Sequence, residues 1–420
     1  MSGPPRLPRN VWAVTLTSFF TDISSEMLVN LIPLFLVGVL GVRTTLVGTI
    51  EGVAESTASL LKLAAGMFSD RLGRRKPLAV AGYAVSTLSK PFLYGASSWA
   101  HVLAVRFADR VGKGIRTAPR DALVADSVDA SQRGIAFGLH RAGDTAGAVV
   151  GLGLALVIVL ARQSASAELL RETFRTVVLV SLIPAALAVA ILALGARETG
   201  VGAASGTRPR LGFAGLGRDF RFFIIVVVLF TLGNSSDAFL LLRARDTGLP
   251  VAGILGMLIT MNLVYAIVAG PAGALSDRLG RRRFLLAGWL VYAGVYLGFA
   301  SASAGWQTWG LMAIYGVYYG LTAGAVRAYV ADLVPAERRG TAYGVLAAAV
   351  GIAALPASII AGLLWQGVAG WPGLGAPAPF VVGAALALVA SALLAFGIRE
   401  RNRPPCSAGG ADHASGPRAR

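Results

Sequence analysis

The feature that most constrains this chain is a series of about a dozen apolar segments of about twenty residues, a length that crosses a bilayer core of roughly 30 Å as a helix. Hydrophobic residues make up 55% of the 420 positions and charged residues 14%, and the mean hydropathy is +0.67. These values lie outside the range of soluble domains. The sequence therefore predicts an all-α integral membrane protein with twelve transmembrane helices and no separate soluble domain.

The first apolar segment runs from Val11 to about Leu40, and we expect it to remain as a helix. Asp22 and Glu26 interrupt it and further spans follow, so it does not resemble a signal peptide. The other helices are predicted at about 46–69, 77–96, 99–126, 133–161, 173–195, 219–242, 250–276, 284–303, 307–332, 339–366 and 377–398.

The net charge of +17 would suggest nucleic-acid binding in a soluble protein. Here the basic residues outside the spans lie mostly on alternate loops, a distribution that predicts a cytoplasmic face. We expect both termini to be cytoplasmic, in a bacterial-type inner membrane, and a monomer with no nucleic-acid partner. The single cysteine, Cys406, cannot form an internal disulfide, and no Cys or His cluster predicts a metal or cofactor site.

A basic motif occurs twice, half a chain apart. Ser69–Arg75 and Ser276–Arg282 share the sequence Ser-Asp-Arg-Leu-Gly-Arg-Arg, each with a glycine four residues before the aspartate. Further matches pair Asp126, Arg133-Gly134 and Ala136-Phe137-Gly138 with Asp332, Arg339-Gly340 and Ala342-Tyr343-Gly344, and Ser24-Ser25-Glu26 with Ser235-Ser236-Asp237. The duplication predicts two six-helix bundles in the same orientation, with a substrate site between them near the bilayer midplane.

The domain boundaries follow from this repeat. Residues 1–196 and 219–400 are expected to form the two bundles, related by a pseudo-two-fold axis. Residues 197–218 are rich in Gly, Ser and Arg and are predicted to be a cytoplasmic linker, and residues 401–420 a disordered cytoplasmic tail.

The doubled motif resembles the hallmark of the major facilitator superfamily, Gly-x-x-x-Asp-Arg/Lys-x-Gly-Arg-Arg/Lys, which follows the second helix and is often repeated after the eighth. The resemblance extends from helix one to helix twelve. It implies that the first, fourth, seventh and tenth helices line a cavity, and that the motif acts as a cytoplasmic latch stabilising the outward-facing state. The implied latch residues are Gly66, Asp70, Arg71, Gly73, Arg74, Asp126 and Arg133, and Gly273, Asp277, Arg278, Gly280, Arg281, Asp332 and Arg339. The arginines would also orient the helices in the membrane.

The chain departs from the family pattern in two places. Arg106 falls where the family's helix-four arginine is expected, but Asp109-Arg110 replaces the usual Gln-Gly. The segment 106–121 resembles a subgroup of uncharacterised prokaryotic facilitators. Helix five contains Gly143, Gly147, Gly151 and Gly153 but lacks the proline of drug–proton antiporters, and generic helix packing explains these glycines equally well.

The first half carries many charges inside its spans, where each costs about 2.5–3.5 kcal/mol on insertion scales. Seven acids face seven bases: Asp22, Glu26, Glu51, Glu55, Asp109, Asp121 and Asp144 against Lys62, Arg106, Arg110, Lys113, Arg116, Arg120 and Arg141, with His140 beside the last. This balance favours pairing within the half for most of them. Asp22 and Glu26 on helix one, and Arg106, Arg110 and Lys113 on helix four, lie near mid-span and are the functional candidates.

The predicted roles of these candidates differ. Glu26, with Asp22, is predicted to carry a coupling proton, because a carboxylate beside arginine can release its partner when protonated. Arg106, Arg110 and Lys113 are predicted to bind substrate. The remaining predicted substrate contacts are Asn30, Asn234, Asp237, Tyr315, Tyr318 and Tyr319. Tyrosines at such spacing more often pack than bind, although three near mid-span suit an amphipathic ligand.

The leading hypothesis is a secondary transporter that works by alternating access and exports a small amphipathic or anionic compound in exchange for protons. Uptake or exchange of an organic anion is the alternative within transport, and a non-transporting membrane receptor is a more remote one. No nucleophile motif, nucleotide-binding loop or metal cluster is visible in the sequence, so we do not expect an enzyme.

Overall fold

The computed structural model describes residues 7–129, 132–163, 167–199, 216–335 and 338–397, apart from the side chains of Asp70 and Arg71. Over these ranges the chain forms twelve long helices and no β-sheet. They are α1 (Arg9–Val29, continued by Ile32–Leu34 and a π-helical turn at Phe35–Val39), α2 (Thr44–Leu72), α3 (Lys76–Ser89, continued by a 3-10 turn at Lys90–Gly95), α4 (Trp99–Asp126), α5 (Arg133–Gln163), α6 (Arg171–Gly195), α7 (Arg218–Gly233 and Ala238–Asp246), α8 (Val251–Leu279), α9 (Arg281–Ser301), α10 (Gly305–Leu333), α11 (Arg339–Gln366) and α12 (Ala378–Gly397). The predicted twelve-helix fold is confirmed.

Eight of these helices are long and apolar enough to cross a membrane by length and composition alone. The other four, α2, α3, α4 and α10, run within the same bundles. Apolar side chains on the outer surface are widely exposed, including Leu194 at 80%, Ile267 at 73% and Phe396 at 89%. An exposed apolar surface of this extent requires lipid around it. The chain is therefore a multi-pass membrane protein.

Helix α7 differs from the prediction of one continuous helix over about 219–242. Its two segments are separated at residues 234–237. The hydroxyl of Tyr292 donates to the Gly233 carbonyl at 2.9 Å, and the Ser236 amide donates to the Ser358 hydroxyl at 3.3 Å. These partners satisfy backbone groups that the interruption frees inside the membrane, and this makes the interruption tolerable there.

The twelve helices form two bundles of six. In the first, α1 packs on α5 and α6, and α4 packs on α2 and α3. In the second, α10 packs on α8 and α9, and α12 packs on α7 and α9. The bundles meet along two helix pairs, α2 with α11 and α5 with α8. Because each pair joins the second helix of one bundle to the fifth helix of the other, the arrangement has the pseudo-two-fold symmetry that the repeat predicts.

Among the described residues, most polar contacts between the bundles lie on one side of the molecule. We call the side that carries the outer ends of α1 and α12 the proximal face and the opposite side the distal face. At the distal face the Thr44 amide donates to Gln366 Oε1 at 2.7 Å, and Arg245 Nη2 contacts Glu168 Oε1 at 2.6 Å. Further in, the Ser56 hydroxyl donates to the Gly351 carbonyl at 2.5 Å.

The proximal side differs. Between Ser56 and the proximal face, α2 makes no hydrogen bond or ion pair to the second bundle through any side chain that the structure describes. The bundles are thus joined on the distal side and at mid-depth. Residues 1–6, the centre of the predicted linker (200–215) and the predicted tail (401–420) lie outside the described residues.

Candidate functional site

The centre of the first bundle holds a buried ion pair. Arg106 of α4 contacts Glu51 of α2, with Nη2 and Oε2 2.6 Å apart, and the side chains are 2% and 7% exposed. Arg106 Nε and Nη1 and Glu51 Oε1 have no hydrogen bond to the described residues. Arg106, predicted to contact substrate, is therefore buried and already paired. Removing either partner would leave an uncompensated buried charge.

One turn along α4, Arg110 is also buried and paired. Its Nη1 lies 3.3 Å from Glu55 Oε1 and its Nε lies 3.8 Å from Asp109 Oδ2. Glu55 is the accessible member of this group, with 46% of its side chain exposed. Lys113 is exposed, and its ammonium makes no hydrogen bond or ion pair within the described chain. Of the three bases predicted to bind substrate, Lys113 alone is both accessible and free of a carboxylate.

The acids of α1 have few partners. Glu26 Oε2 accepts a hydrogen bond from the amide of Asn30 at 2.9 Å, one helical turn away. Asp22 is half-buried, and its carboxylate has no hydrogen bond or ion pair within the described chain. Its surroundings contain charges of both signs, since Asp144, Glu26, Arg116 and Lys113 all lie within electrostatic range. The two predicted proton carriers thus lie close together, and neither is paired with arginine.

A buried lysine that is not among the predicted site residues bonds to α1. Lys90, in the 3-10 turn that ends α3, is 5% exposed and donates to the hydroxyls of Ser24 at 2.6 Å and Ser25 at 3.2 Å. Asp109 and Asp22 lie within its electrostatic range. The basic residue inside the predicted span 77–96 was the available signal. The Ser24-Ser25 pair, recognised as part of the repeat, binds this ammonium.

In the second bundle, the carboxylate of Asp237 is held by two tyrosines of α10. Tyr315 donates to Oδ1 at 2.9 Å and Tyr319 donates to Oδ2 at 3.1 Å. Tyr318 packs inside an aromatic cluster, with its ring centroid 5.1 Å from Tyr292 and 5.2 Å from Tyr315. Tyr315 and Tyr318 are buried and Tyr319 is half-buried, so Tyr319 is the accessible one of the three.

The two bundles converge at Asp237. The charges of Glu55 and Glu26, both from the first bundle, lie within its electrostatic range. Asn234, at the start of the α7 interruption, is half-buried. The structure therefore brings acids from α1, α2 and α7 to one centre between the bundles, with Lys113 nearby. We call this group (Asp22, Glu26, Glu55, Lys113 and Asp237) the charged centre.

Helix α5 adds further polar groups. His140 Nε2 lies 3.8 Å from Asp144 Oδ2. Arg141 reaches across to the second bundle and donates to the Tyr265 hydroxyl from Nε at 3.2 Å and Nη2 at 3.1 Å. This contact joins α5 to α8.

The two copies of the implied latch differ in their pairing. In the second bundle, Arg281 contacts Asp277 at 3.0 Å and Asp332 at 3.0 Å, and so ties the α8–α9 turn to α10. In the first bundle the equivalent of Arg281 is Arg74, but the next residue, Arg75, makes the contact with Asp126, at 3.4 Å. Arg74 instead lines a cavity of about 790 Å³ together with Lys76 and Glu198.

The other implied latch residues take different positions. Gly73 and Gly280 end α2 and α8 with φ of 62° and 101°, a conformation that favours glycine. Arg133, Arg278 and Arg339 are exposed. The side chains of Asp70 and Arg71 lie outside the described residues. Gly66 and Gly273 lie on the α2 and α8 helices, one turn before the motif aspartates.

The sequence model of the Major Facilitator Superfamily matches residues 14–261 and 222–416. The chain belongs to the major facilitator superfamily. This family consists of secondary transporters, and the prediction that the chain is not an enzyme is confirmed with it.

Similar proteins support the family assignment. An uncharacterized MFS-type transporter of Methanocaldococcus jannaschii is 34% identical over 396 residues, which cover 93% of this chain and 95% of the relative. The class C tetracycline resistance protein of Escherichia coli is 30% identical over 115 residues, 27% of this chain and 29% of that protein. This family member thus belongs with uncharacterised prokaryotic relatives, as predicted.

Solved structures of facilitators share the fold. The nucleoside transporter NupG (D323A mutant) superposes with a TM-score of 0.76 at 11% identity, covering 92% of this chain and 99% of that one. A bacterial homolog of the human lysosomal transporter Spinster, in an inward-facing and occupied conformation, gives 0.73 at 17% identity, covering 91% and 95%. Identities this low show the shared fold alone.

Proposed function

We propose that this facilitator exports a small amphipathic or anionic compound in exchange for protons, by alternating access in a bacterial-type inner membrane. Residues 1–196 and 219–400 act as the two moving bundles, joined by a linker at 197–218. Both termini are cytoplasmic, so the proximal face is the cytoplasmic face and the contacts described above close the periplasmic side. Basic loops at the proximal face support this orientation.

The observation that carries the proposal is the difference in pairing at the charged centre. Arg106 and Arg110 are buried against Glu51 and Glu55, whereas the Asp22 carboxylate and the Lys113 ammonium have no partner in the described chain. Placing a charged group inside the membrane costs free energy, so such groups are usually paired with an opposite charge or have a function. An acid with other acids in range can take up a proton, and an accessible ammonium can bind an anion.

We assign Asp22 and Glu26 to proton coupling and Lys113 to the anionic group of the substrate. Opposite Lys113, Tyr319 and Asp237 form the second-bundle side of the proposed substrate site, and Asn30 and Asn234 are assigned as further contacts. The half-buried ring of Tyr319 suits the apolar part of an amphipathic compound. The paired bases Arg106 and Arg110 hold Glu51 and Glu55 within the first bundle. Partial similarity to a tetracycline resistance protein supports export over uptake.

The alternative is uptake or exchange of an organic anion, with Lys113 holding the anion and protons moving with it or not at all. Both functions use the same charged centre, so they differ in the direction of proton movement relative to the transported compound. The purified protein in proteoliposomes, loaded with a pH-sensitive dye, would be exposed to a panel of aromatic carboxylates, alkyl sulfonates and amphipathic amines. Protons moving opposite to a compound support export by exchange. Protons moving with the compound, or none moving, favour the alternative.

A further inference from the structure

A row of ionisable groups leads from the proximal face towards the charged centre, and two of them have no role in the proposal above. His140 is the eighth residue of α5 and so lies about 10 Å along the helix from its proximal end. Asp144 lies one turn deeper on the same side of the helix. Asp22 and Glu26 continue the row on α1, which packs on α5.

His140 and Asp144 are adjacent without being bonded. His140 is 5% exposed, and neither of its ring nitrogens has a hydrogen bond to the described residues. Asp144 Oδ1 is also buried without such a bond, and the 3.8 Å between His140 Nε2 and Asp144 Oδ2 exceeds hydrogen-bond length. An apolar side chain would fill this space at a lower desolvation cost. Holding a buried imidazole here therefore calls for a role beyond packing.

The α1–α5 contact connects this pair to the charged centre. Gly147, three residues after Asp144, lies against α1 so closely that a Cβ there would come within 2.5 Å of the Phe19 carbonyl and 3.2 Å of Asp22 Cβ. Asp144 and Glu26 both lie within electrostatic range of Asp22. The groups therefore follow one another in the order His140, Asp144, Asp22, Glu26.

The charges that face the pair are balanced in sign. Around His140 they are Arg120 and Asp121 of α4 and Arg141 and Asp144 of α5. Around Asp144 they are Asp22, Arg120, Arg141 and His140. The Asp121 side chain is 38% exposed, so a polar group within electrostatic range of His140 reaches accessible space on the proximal side.

We propose that His140 and Asp144 form the proton-transfer route between the proximal face and Asp22. The route deepens the proposed function and rests on proton coupling through Asp22. In the direction of the charged centre, the neutral imidazole accepts a proton from a hydronium ion at its unprotonated ring nitrogen, which leaves water, and gives the proton of the other nitrogen to the Asp144 carboxylate. The resulting carboxyl passes its proton to the Asp22 carboxylate. A side-chain rotation or one bridging water closes the 3.8 Å gap, and the reverse sequence releases the proton.

The test uses protons alone as the probe, since no substrate is needed. The full chain in lipid nanodiscs would be subjected to a rapid drop in pH, and protonation of Asp22 would be followed by time-resolved infrared absorption of its carboxyl group. The Asp22→Asn variant assigns the band. The final pH is set low enough to protonate Asp22 fully in every variant. We then expect His140→Gln and Asp144→Asn each to slow the appearance of the band at least about tenfold while its final amplitude stays unchanged, because general acid–base groups speed proton transfer by that much or more. Asp144→Glu, which keeps the carboxyl, should restore most of the rate.

His101→Gln is the matched control, because His101 lies in the first turn of α4 at the opposite face. Slowing at unchanged amplitude distinguishes proton transfer from a purely structural role, which would change the amplitude or the elution profile of the variant. An unchanged rate in both His140→Gln and Asp144→Asn would overturn the route while leaving the coupling role of Asp22 intact. No band assignable to Asp22 in the wild type would overturn the proposed coupling role itself, and the route with it.

Discussion

Glu168 and Arg245 join the two bundles at the distal face, with Oε1 and Nη2 2.6 Å apart. Glu168 lies in the loop between α5 and α6, and Arg245 lies in the last turn of α7. Next to them the Val251 amide donates to the Ala167 carbonyl at 3.2 Å. In alternating access these contacts must break when the distal face opens.

Breaking this pair should favour the distal-open state. The two side chains are 61% and 24% exposed, and pairs of this kind contribute about 0.2–1 kcal/mol. Glu168→Gln should therefore shift the equilibrium about 1.4- to 5-fold. The measurement is the distance distribution between spin labels at Leu170 and Leu374, both exposed on distal loops, in a Cys406→Ser background. Glu172→Gln, which removes a pair within α6 alone, is the control and should leave the distribution unchanged.

A second prediction concerns the buried pair of Arg106 and Glu51. Glu51→Gln leaves the guanidinium buried without a counter-charge, which should lower the free energy of unfolding by about 3–5 kcal/mol. Replacing both residues by methionine removes both charges at once and should restore most of the stability. Thermal unfolding in detergent provides the measurement. A Glu51→Gln protein as stable as the wild type would show that Arg106 is not held by this pair.

The third prediction concerns Lys113, the accessible base of the charged centre. Lys113→Gln should raise the apparent KM for an anionic substrate about tenfold or more, since a hydrogen bond to a charged group contributes about 1.5–3 kcal/mol. Lys62→Gln makes the same chemical change on α2, outside the charged centre, and should have little effect on KM. Concentration-dependent uptake into proteoliposomes measures both. Equal effects of the two variants would contradict a binding role for Lys113.

The fourth prediction uses two glycines. A Cβ at Gly48 would overlap the Ser358 carbonyl of α11, so Gly48→Ala should destabilise the distal contact. A Cβ at Gly273, the motif glycine of α8, would meet nothing within 4 Å in this state. If the motif closes the proximal face in the distal-open state, Gly273→Ala should destabilise the distal-open state alone. Spin labels at Leu194 and Phe396 report on the proximal side, and the two variants should shift the populations in opposite directions. Shifts in the same direction would argue against the assigned role of the motif.

The helices were largely predictable because membrane spans are set by local composition. Helix α11, expected at 339–366, is Arg339–Gln366, and the basic turns between spans mark most other ends. The interruption of α7 was missed because it depends on Tyr292, which donates to Gly233 from another helix. No local pattern contains that contact.

The sequence could predict which residues belong to the site but not how they are arranged. Charges inside spans identified Asp22, Glu26 and Lys113, but the sequence could not say which bases were already paired. That depends on the register between α2 and α4, which brings Glu51 to Arg106. Lys90 was overlooked because its neighbours read as an ordinary apolar span.

A flux-reversal experiment measures whether transport is coupled to protons. Once a compound from the panel is found to be transported, vesicles with fixed inside and outside concentrations of it would be placed in a series of pH gradients, and the gradient at which net flux stops would be measured. We expect the stopping point to move with the pH gradient in the wild type, and the dependence to be lost in Asp22→Asn or Glu26→Gln. If flux stops at equal compound concentrations whatever the pH gradient, transport is not coupled to protons, and neither Asp22 nor Glu26 has a coupling role.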